Sequence, residues 1–260
     1  MIQNIFPTRK GHVSFSEVKN WSECPWRHKL LYIEKKGTFE GNVHTFFGTA
    51  VHESCESFIK TKKMKPEIAV NMIRKEWKEN GFDDAESWCE SAERILSEVP
   101  SFLDETFPGW EPYDAEEQLF ESIDNHDLKF KGFIDAILKV PGKNGKFLYW
   151  ILDWKTTSWG WSPFKKRDFI VSSQPRLYKV FWSKKHNIPE SQVRTGFVLL
   201  KRSAKDGKRC ELVTVSVGPK SRTKSLKIVD NMIKSVKKGV FLKNRLSCKY
   251  CEFKDTSDCT

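Results

Sequence analysis

The alternation of hydrophobic and polar positions changes near residue 112 and divides the chain into a helical half and a strand-rich half. In the first half, apolar residues recur at helical spacing. Ser14 and Glu17 have the spacing of a capping box, so we expect a helix that begins there and is interrupted at Pro25, just after Cys24. The predicted helical segments are 14–33, 48–61, 66–80 and 85–107.

In the second half, the periodicity is that of strands. Turn residues such as Asn125, Gly142 and Gly145 separate the first three strand candidates, which predicts an antiparallel meander. A helix from about Ser172 to Trp182 follows, then two more strands and a last helix. The strands are predicted at 116–123, 128–140, 146–156, 195–202 and 209–217, and the last helix at 219–240.

The chain shows no internal repeat and no low-complexity linker, so we expect a single α/β domain over residues 1–260. Its predicted parts are a mainly helical segment (1–110), a sheet core (111–218) and a helix with a cysteine-rich tail (219–260). Length and an apolar content of 38% are sufficient for a substantial core.

The segment "YWILDWK" (149–155) ends an apolar strand in two opposite charges. Because side chains alternate along a strand, Asp153 and Lys155 share one face. The residues of the other face are Trp150, Leu152 and Trp154. Asp135 ends a similar apolar run on the preceding strand, and antiparallel pairing would bring both carboxylates and the ammonium together. Such a group suits Mg²⁺ or Mn²⁺ beside a phosphate; the alternative is a buried Asp–Lys ion pair.

The order Asp, then Asp-x-Lys about 18 residues later, resembles the core of the PD-(D/E)XK nucleases. "QPRLY" resembles the Gln-x-x-x-Tyr motif of their RecB-like branch, and "GTAVH" (48–52) resembles its Gly-x-x-x-His segment. The resemblance implies a restriction-endonuclease-like fold, in which helices flank a mixed β-sheet, with a helical N-terminal elaboration.

The same resemblance implies roles for individual residues. The implied metal ligands are His52, Asp135, Asp153 and the backbone carbonyl of Trp154. Lys155 would activate water or stabilise transition-state charge, and Gln174 and Tyr178 would position the DNA strand. Taken singly, His52 is more often an ordinary helix histidine, and Tyr178 could be core packing.

Charge is distributed unevenly along the chain. Residues 1–130 carry 16 basic and 24 acidic residues, whereas residues 131–260 carry 29 and 10. A basic half suits a polyanion, and nucleic acid is the leading candidate partner; the alternative is a lysine-rich solvated surface. The predicted backbone contacts are Lys165, Lys166, Arg167, Lys201 and Arg202. Trp159 and Trp161 would stack on bases, or else form an aromatic lid packed on the core.

Seven cysteines, an odd number, argue against a disulfide framework and favour metal or cluster ligation. The tail "CKYCEFKDTSDC" presents Cys248, Cys251 and Cys259. With Cys24 in "CPWRHKLLY", this resembles the iron–sulfur class of RecB-like nucleases, such as the CRISPR-associated exonuclease. The resemblance implies a 4Fe–4S cluster that staples the chain ends together, with structural Zn²⁺ as the alternative. The remaining cysteines, 55, 89 and 210, are interpreted as ordinary thiols.

These observations predict a metal-dependent DNA nuclease, an exonuclease acting on single-stranded DNA or DNA ends. A first alternative is a non-catalytic DNA-binding or adaptor subunit of a recombination, repair or CRISPR adaptation complex, although such a scaffold needs no complete His52, Asp135, Asp153 and Lys155 set. A second alternative is an iron–sulfur redox protein, but no flavin, haem or phosphate-loop motif supports it. No long apolar run or secretory leader is evident, so we expect a cytoplasmic protein without membrane contact.

Overall fold

The computed structural model of the chain describes residues 6–37 and 41–259, which form a six-stranded mixed sheet with helices on both faces. The strands are β1 (His12–Ser14), β2 (Glu111–Ser122), β3 (Lys129–Pro141), β4 (Phe147–Thr157), β5 (Val193–Lys201) and β6 (Cys210–Thr214). The helices are α1 (Phe15–Glu23), α2 (Pro25–His28), α3 (Val43–Thr61), α4 (Pro66–Asn80), α5 (Ala85–Thr106), α6 (Pro163–Arg167), α7 (Phe169–His186) and α8 (Pro219–Lys237). The mixed α/β fold expected from the sequence is confirmed.

Strands β2, β3 and β4 pair antiparallel, which confirms the predicted meander. Strand β5 runs parallel to β4, so α7 is the crossover between them, and β6 returns antiparallel to β5. On the β3 edge opposite β2, β1 pairs in parallel with residues 129–131 and β4 pairs with residues 136–141. Residues 132–135 therefore lie between the ends of β1 and β4, where the sheet has a gap.

Two hydrophobic clusters hold the helices against the sheet. Helices α3, α4 and α5 pack on one face, and α1, α7 and α8 pack on the other. Strand β4 contributes to both, because Leu152 and Trp154 belong to the first cluster and Ile151 to the second. All three residues are fully buried, so helices cover both faces of β4 here, and side chains alternate between the two faces. Asp153 therefore faces the α7 side of the sheet.

The N-terminal helical segment breaks where the sequence indicates. Ser14 caps α1 by accepting a hydrogen bond from the Glu17 backbone N–H at 3.3 Å. The helix ends before Cys24, and Pro25 starts α2, where its missing N–H costs nothing. A π-helical turn, Lys29–Ile33, completes the segment.

Several boundaries differ from the predicted ones. Helix α3 begins at Val43 rather than Gly48, because Asn42 caps it. Helix α7 begins at Phe169, since the Asp168 side chain accepts a hydrogen bond from Val171 N–H at 3.0 Å. With this earlier start than the predicted Ser172, Pro175 lies in the helix interior, where it cannot donate to the carbonyl four residues earlier.

Strand β1 was not predicted, because three residues are too short to show a period. Among the described residues, no helix combines the length and hydropathy that a bilayer span requires.

Candidate active site

The gap beside β3 opens into a cavity of about 380 Å³, which is lined by the predicted site residues. Its lining includes the six side chains expected to hold metal or act on substrate, namely His52, Asp135, Asp153, Lys155, Gln174 and Tyr178. They come from α3, β3, β4 and α7, four elements separated by up to about half of the chain. The fold brings this sequence-predicted set together.

Asp135 is fixed by the neighbouring strand. Its Oδ2 atom accepts a hydrogen bond from the backbone N–H of Trp154 at 2.8 Å, and His52 Nδ1 lies 3.6 Å from the same oxygen. The His52 ring also hydrogen-bonds the backbone of Trp154. The Asp135 carboxylate, the His52 imidazole and the main chain of Trp154 therefore lie close together; their role as metal ligands stays a prediction.

Asp153 is held from the other side of the sheet. Its Oδ1 accepts a hydrogen bond from Gln174 Nε2 at 2.7 Å, and its Oδ2 lies 2.5 Å from Lys155 Nζ. Gln174 also lies 3.4 Å from the Tyr178 hydroxyl, one turn further along α7. Helix α7 therefore orients the β4 carboxylate through an amide that can donate to it in either ionisation state.

The cavity concentrates negative charge away from water. Burial, followed by the charge of Asp153, raises the pKa of Asp135 well above its usual value. Burial also raises the pKa of Asp153, although Lys155 opposes the shift. Burial and the Lys155 ammonium lower the pKa of His52 to about 4, so its imidazole is neutral at physiological pH.

This donor set fits a hard divalent cation. Ionisation of both carboxyl groups, which their mutual repulsion disfavours, becomes favourable when a cation neutralises the charge. A neutral imidazole can in addition donate a lone pair to the cation. In the part of the chain that the structure describes, no three His, Cys, Asp or Glu side chains are already grouped closely enough to hold a metal ion. Present partners of the carboxylates are the Trp154 N–H, Lys155 and Gln174.

Two glycines permit close approaches at the cavity. A Cβ on Gly132 would lie 2.8 Å from Cε1 of Tyr178, so only glycine lets this ring lie against β3. A Cβ on Gly48 would lie 3.2 Å from Thr156 Oγ1, so glycine brings α3 against β4 one turn before His52. This supplies a packing reason for the spacing of Gly48 and His52.

Sequence reasoning missed several residues at the site. Glu116 does not line the cavity but lies opposite Asp135 in the β2–β3 pairing, where it has a positive φ of 55° within β2. Burial, followed by Glu56, raises its pKa, and Asp153 also contributes. His12, Lys131 and Phe133 line the cavity as well. The available signal was the alternation of lysine and phenylalanine in "KFKGF" (129–133), immediately before Asp135.

The predicted nucleic-acid contacts have mixed surroundings. Trp159 is 76% exposed, whereas the Trp161 ring packs 4.9 Å from Phe197, the arrangement of the alternative lid interpretation. Arg167 is exposed, and Lys165 Nζ lies 4.8 Å from the Trp161 ring centre. Lys166 and Lys201 both pair with Glu211, and Arg202 stacks 4.0 Å over Trp88. Their role in binding stays a prediction.

The four predicted cluster cysteines line a single small cavity where the two ends of the described chain meet. They are Cys24, Cys248, Cys251 and Cys259, and all four are free thiols. The backbone N–H of Asn244 donates to Cys24 Sγ at 3.4 Å, a contact that a thiolate strengthens. Thiolates are the ligands that iron–sulfur clusters and structural Zn²⁺ use, but no three of these cysteines, all within the described residues, are grouped closely enough to hold a metal ion.

Direct contacts also tie the tail to α2. Arg27 makes a two-pronged pair with Glu252, with nitrogen–oxygen distances of 2.9 and 3.4 Å, and Trp26 Nε1 donates to the Asp258 carbonyl at 2.9 Å. The Asn244 amide donates to the Glu23 carbonyl at 2.7 Å. These bonds span more than 200 residues of sequence and hold the tail against the end of α1 and against α2.

Comparison with known proteins agrees with this geometry. A sequence model of the PD-(D/E)XK nuclease superfamily matches residues 12–256. The crystal structure of a candidate exonuclease from Eubacterium rectale superposes with a TM-score of 0.58 at 14% identity, covering 98% of this chain and 92% of that one. At that identity, the likeness concerns the fold alone. A second structure, SSO0001, has 17% identity over 88% of this chain and 91% of that one, but its TM-score of 0.36 carries no argument. A search of curated proteins found no significant match.

Proposed function

The chain belongs to the PD-(D/E)XK nuclease superfamily, and from this membership we propose that it is a metal-dependent deoxyribonuclease that acts as an exonuclease on single-stranded DNA or DNA ends. One observation carries the proposal: Asp135, Asp153 and Lys155 share one cavity with His52. A protein that only binds DNA has no chemical need for two buried carboxylates beside an ammonium group.

His52, Asp135, Asp153 and the carbonyl of Trp154 would hold Mg²⁺ or Mn²⁺. A cation bound there would supply Lewis acidity and neutralise charge on the scissile phosphate. The protein's own contribution is to position these donors: Trp154 N–H orients one carboxylate and Gln174 orients the other.

Lys155 is suited to stabilising phosphate charge. Burial lowers the pKa of its ammonium, but the charges of Asp153 and Asp135 raise the pKa by more than burial lowers it. The net shift is therefore upward. A protonated lysine is a poor general base and a good partner for developing negative charge. Of the two roles that the resemblance implies for Lys155, we favour transition-state stabilisation.

Tyr178 and Gln174 would position the substrate strand. Burial, with Asp153 as a further cause, raises the pKa of Tyr178, so its hydroxyl keeps its proton. A neutral phenol and an amide are donors that can reach a phosphate oxygen without adding charge to the site. Both side chains lie on α7 at the mouth of the same cavity.

The cysteine group would hold a 4Fe–4S cluster with a structural role, and Zn²⁺ is the alternative. Support comes from the common cavity of the four thiols and from the hydrogen bonds that bring Cys24 against the tail. Ligation at this place would join α2 to the last segment of the chain and restrain both.

The nuclease proposal is tested by incubating end-labelled single-stranded DNA, duplex DNA and RNA with the protein and Mg²⁺ or Mn²⁺. We expect divalent-dependent cleavage of DNA that is lost in Asp153→Asn and Lys155→Ala. Asp124→Asn is the matched control, because Asp124 is an exposed carboxylate that makes a 2.9 Å pair with Lys184 away from the cavity. Binding without cleavage by the wild-type protein would identify an adaptor, and undiminished cleavage by both site variants would refute the residue assignment.

A further inference from the structure

An exposed patch of the sheet adjoins the cavity and is unexplained by packing. It consists of His12 on β1, Phe120 on β2, and Lys129, Lys131 and Phe133 on β3, which together we call the stacking platform. Phe120 is 42% exposed and Phe133 is 45% exposed. A single exposed ring is common, but a contiguous exposed patch beside a polar cavity is a candidate binding surface.

Strand register puts the stacking platform on one face. Residues 129, 131 and 133 alternate along β3, so their side chains point the same way. Phe120 pairs with Lys131 across β2 and β3, and His12 pairs with Lys129 across β1 and β3. The rings of His12 and Phe120 meet above β3 at 5.9 Å, which confirms that all three strands present these residues on the same side.

Each phenylalanine of the platform has a lysine beside its ring. Lys129 Nζ lies 4.6 Å from the Phe120 ring centre, and Lys131 Nζ lies 5.5 Å from that of Phe133. Burial, then Lys131 and Lys10, lower the pKa of His12, so this ring is neutral and available for stacking. Aromatic faces interleaved with flexible ammonium groups match the alternation of bases and phosphates in a nucleic-acid strand.

We propose that the stacking platform binds an unpaired DNA strand, with bases stacked on Phe120 and Phe133 and phosphates bound by Lys129 and Lys131. This rests on the proposed function, since DNA is the occupant that a nuclease cavity implies. Duplex DNA hides its base faces within the stack, so the rings select single strands or frayed ends. Because phenylalanine donates no hydrogen bonds, binding is tolerant of sequence.

The platform leads directly into the cavity. Phe133 precedes Asp135 by two residues of β3, a rise of about 6.6 Å. Both residues line the same cavity, together with Lys131 and His12. A base stacked on Phe133 thus belongs to a nucleotide adjacent to the phosphate that lies at the two carboxylates. From there the DNA strand continues over Phe120, away from the cavity.

The test separates binding from cleavage. The anisotropy of a labelled oligothymidylate is titrated in EDTA, where metal-dependent cleavage cannot occur, and a blunt duplex is titrated in parallel. Phe133→Ala and Phe120→Ala should each weaken single-strand binding about tenfold, and Phe133→Leu should fail to restore it. Lys131→Gln should make the plot of log affinity against log salt concentration less steep, by about 0.7 in the magnitude of its negative slope.

Phe147→Ala is the matched control. Phe147 is 39% exposed and has Lys139 Nζ 3.8 Å from its ring centre, but it pairs with Pro141 at the far end of β3. The control should bind as the wild type does. Losses in the platform variants no larger than in the control, or equal losses for duplex and single strand, would overturn the proposal.

Failure of the platform and failure of the nuclease give different results. If the wild-type protein cleaves no DNA while Phe133→Ala loses single-strand binding, the platform stands and the nuclease assignment falls. If the wild-type protein cleaves DNA while Phe120→Ala and Phe133→Ala bind and cleave as it does, the platform is wrong and the nuclease assignment stands.

Discussion

The carboxylate of Asp135 accepts a hydrogen bond from the backbone N–H of Trp154 at 2.8 Å, so a side chain takes over where strand pairing stops. The β3–β4 ladder ends at the pair Ala136 and Leu152. One residue further, the strands diverge into the gap. There the Asp135 side chain accepts the hydrogen bond of the Trp154 N–H in place of a backbone carbonyl of the neighbouring strand. The Asp135 carboxylate is therefore part of the hydrogen bonding of the sheet.

Asp135→Asn should separate stability from activity. The pKa of Asp135 is raised in the folded protein, so its ionised form destabilises the fold at any pH above the unfolded pKa of about 3.9. Asparagine can still accept from Trp154 N–H but carries no charge. In metal-free buffer near pH 8, we expect the free energy of unfolding to rise by about 1 kcal/mol, which corresponds to roughly 2–4 °C in Tm. The variant should also lose DNA cleavage.

Titration with Mg²⁺ completes this experiment. The cation should raise the Tm of the wild-type protein by binding the folded state, and should have little effect on Asp135→Asn. As pH falls toward 4, the Tm difference between the two metal-free proteins should shrink. A variant less stable than the wild type at pH 8 would show that the two carboxylates do not oppose each other.

Gly132→Ala should impair catalysis through Tyr178. A Cβ at this position would lie 2.8 Å from the tyrosine ring, so the ring must move away from β3 and its hydroxyl from Gln174. Overpacking of this kind costs about 1–3 kcal/mol, and we expect kcat to fall about tenfold to a hundredfold. The control is Gly11→Ala, since nothing lies within 4 Å of a Cβ there. Equal kcat in both variants would exclude a positioning role for Tyr178.

Local patterns in the sequence predicted the meander and the placement of Asp153 and Lys155 on one strand face. They succeeded because β4 is a regular strand, in which Asp153 and Lys155 point to one side and Leu152 and Trp154, both fully buried, point to the other. Family resemblance then identified His52, Gln174 and Tyr178, which are remote in sequence. No local pattern could have brought them to the cavity, because their positions depend on how α3 and α7 pack against the sheet.

Features that depend on pairing between strands were missed. Strand β1 is recognisable only through its partner, since three residues carry no period. Glu116 lies between the β2–β3 pairs Ala115–Ala136 and Glu117–Ile134, and its positive φ is not signalled by any turn residue in the sequence. Likewise, the stacking platform is assembled by register, which places Phe120 beside Lys131, and residue spacing alone does not specify register.

Cys248→Ser should remove the group bound at the chain ends. If that group is a 4Fe–4S cluster, anaerobically purified wild-type protein absorbs near 400 nm and contains iron, and the variant loses both. Zinc in place of iron, without colour, would identify the alternative. The control Cys210→Ser alters a half-buried thiol outside this cavity and should leave metal content unchanged. A wild-type protein that contains neither metal would refute ligation by the four cysteines.

Glu117 is buried beneath α7. Its carboxylate accepts a hydrogen bond from Trp182 Nε1 at 2.8 Å and lies 2.6 Å from both Lys185 Nζ and His186 Nε2. Burial raises its pKa, but the hydrogen bonds of Lys185, His186 and Trp182 outweigh it, so the net shift is downward. A lowered pKa contributes stability that is present above the unfolded pKa of about 4.3 and is lost as pH falls through the folded value.

Glu117→Gln should therefore destabilise the protein by about 2 kcal/mol near pH 7, because charge-assisted bonds to the carboxylate are lost. The difference in the free energy of unfolding between variant and wild type should become smaller below about pH 4, where Glu117 takes up a proton in the folded state. Urea unfolding monitored by tryptophan fluorescence across this range measures both quantities. Glu111→Gln, at an exposed 3.7 Å pair with Lys139, is the control and should change stability by less than about 0.5 kcal/mol. A pH-independent difference for Glu117→Gln would mean that the loss reflects packing rather than the ionised carboxylate.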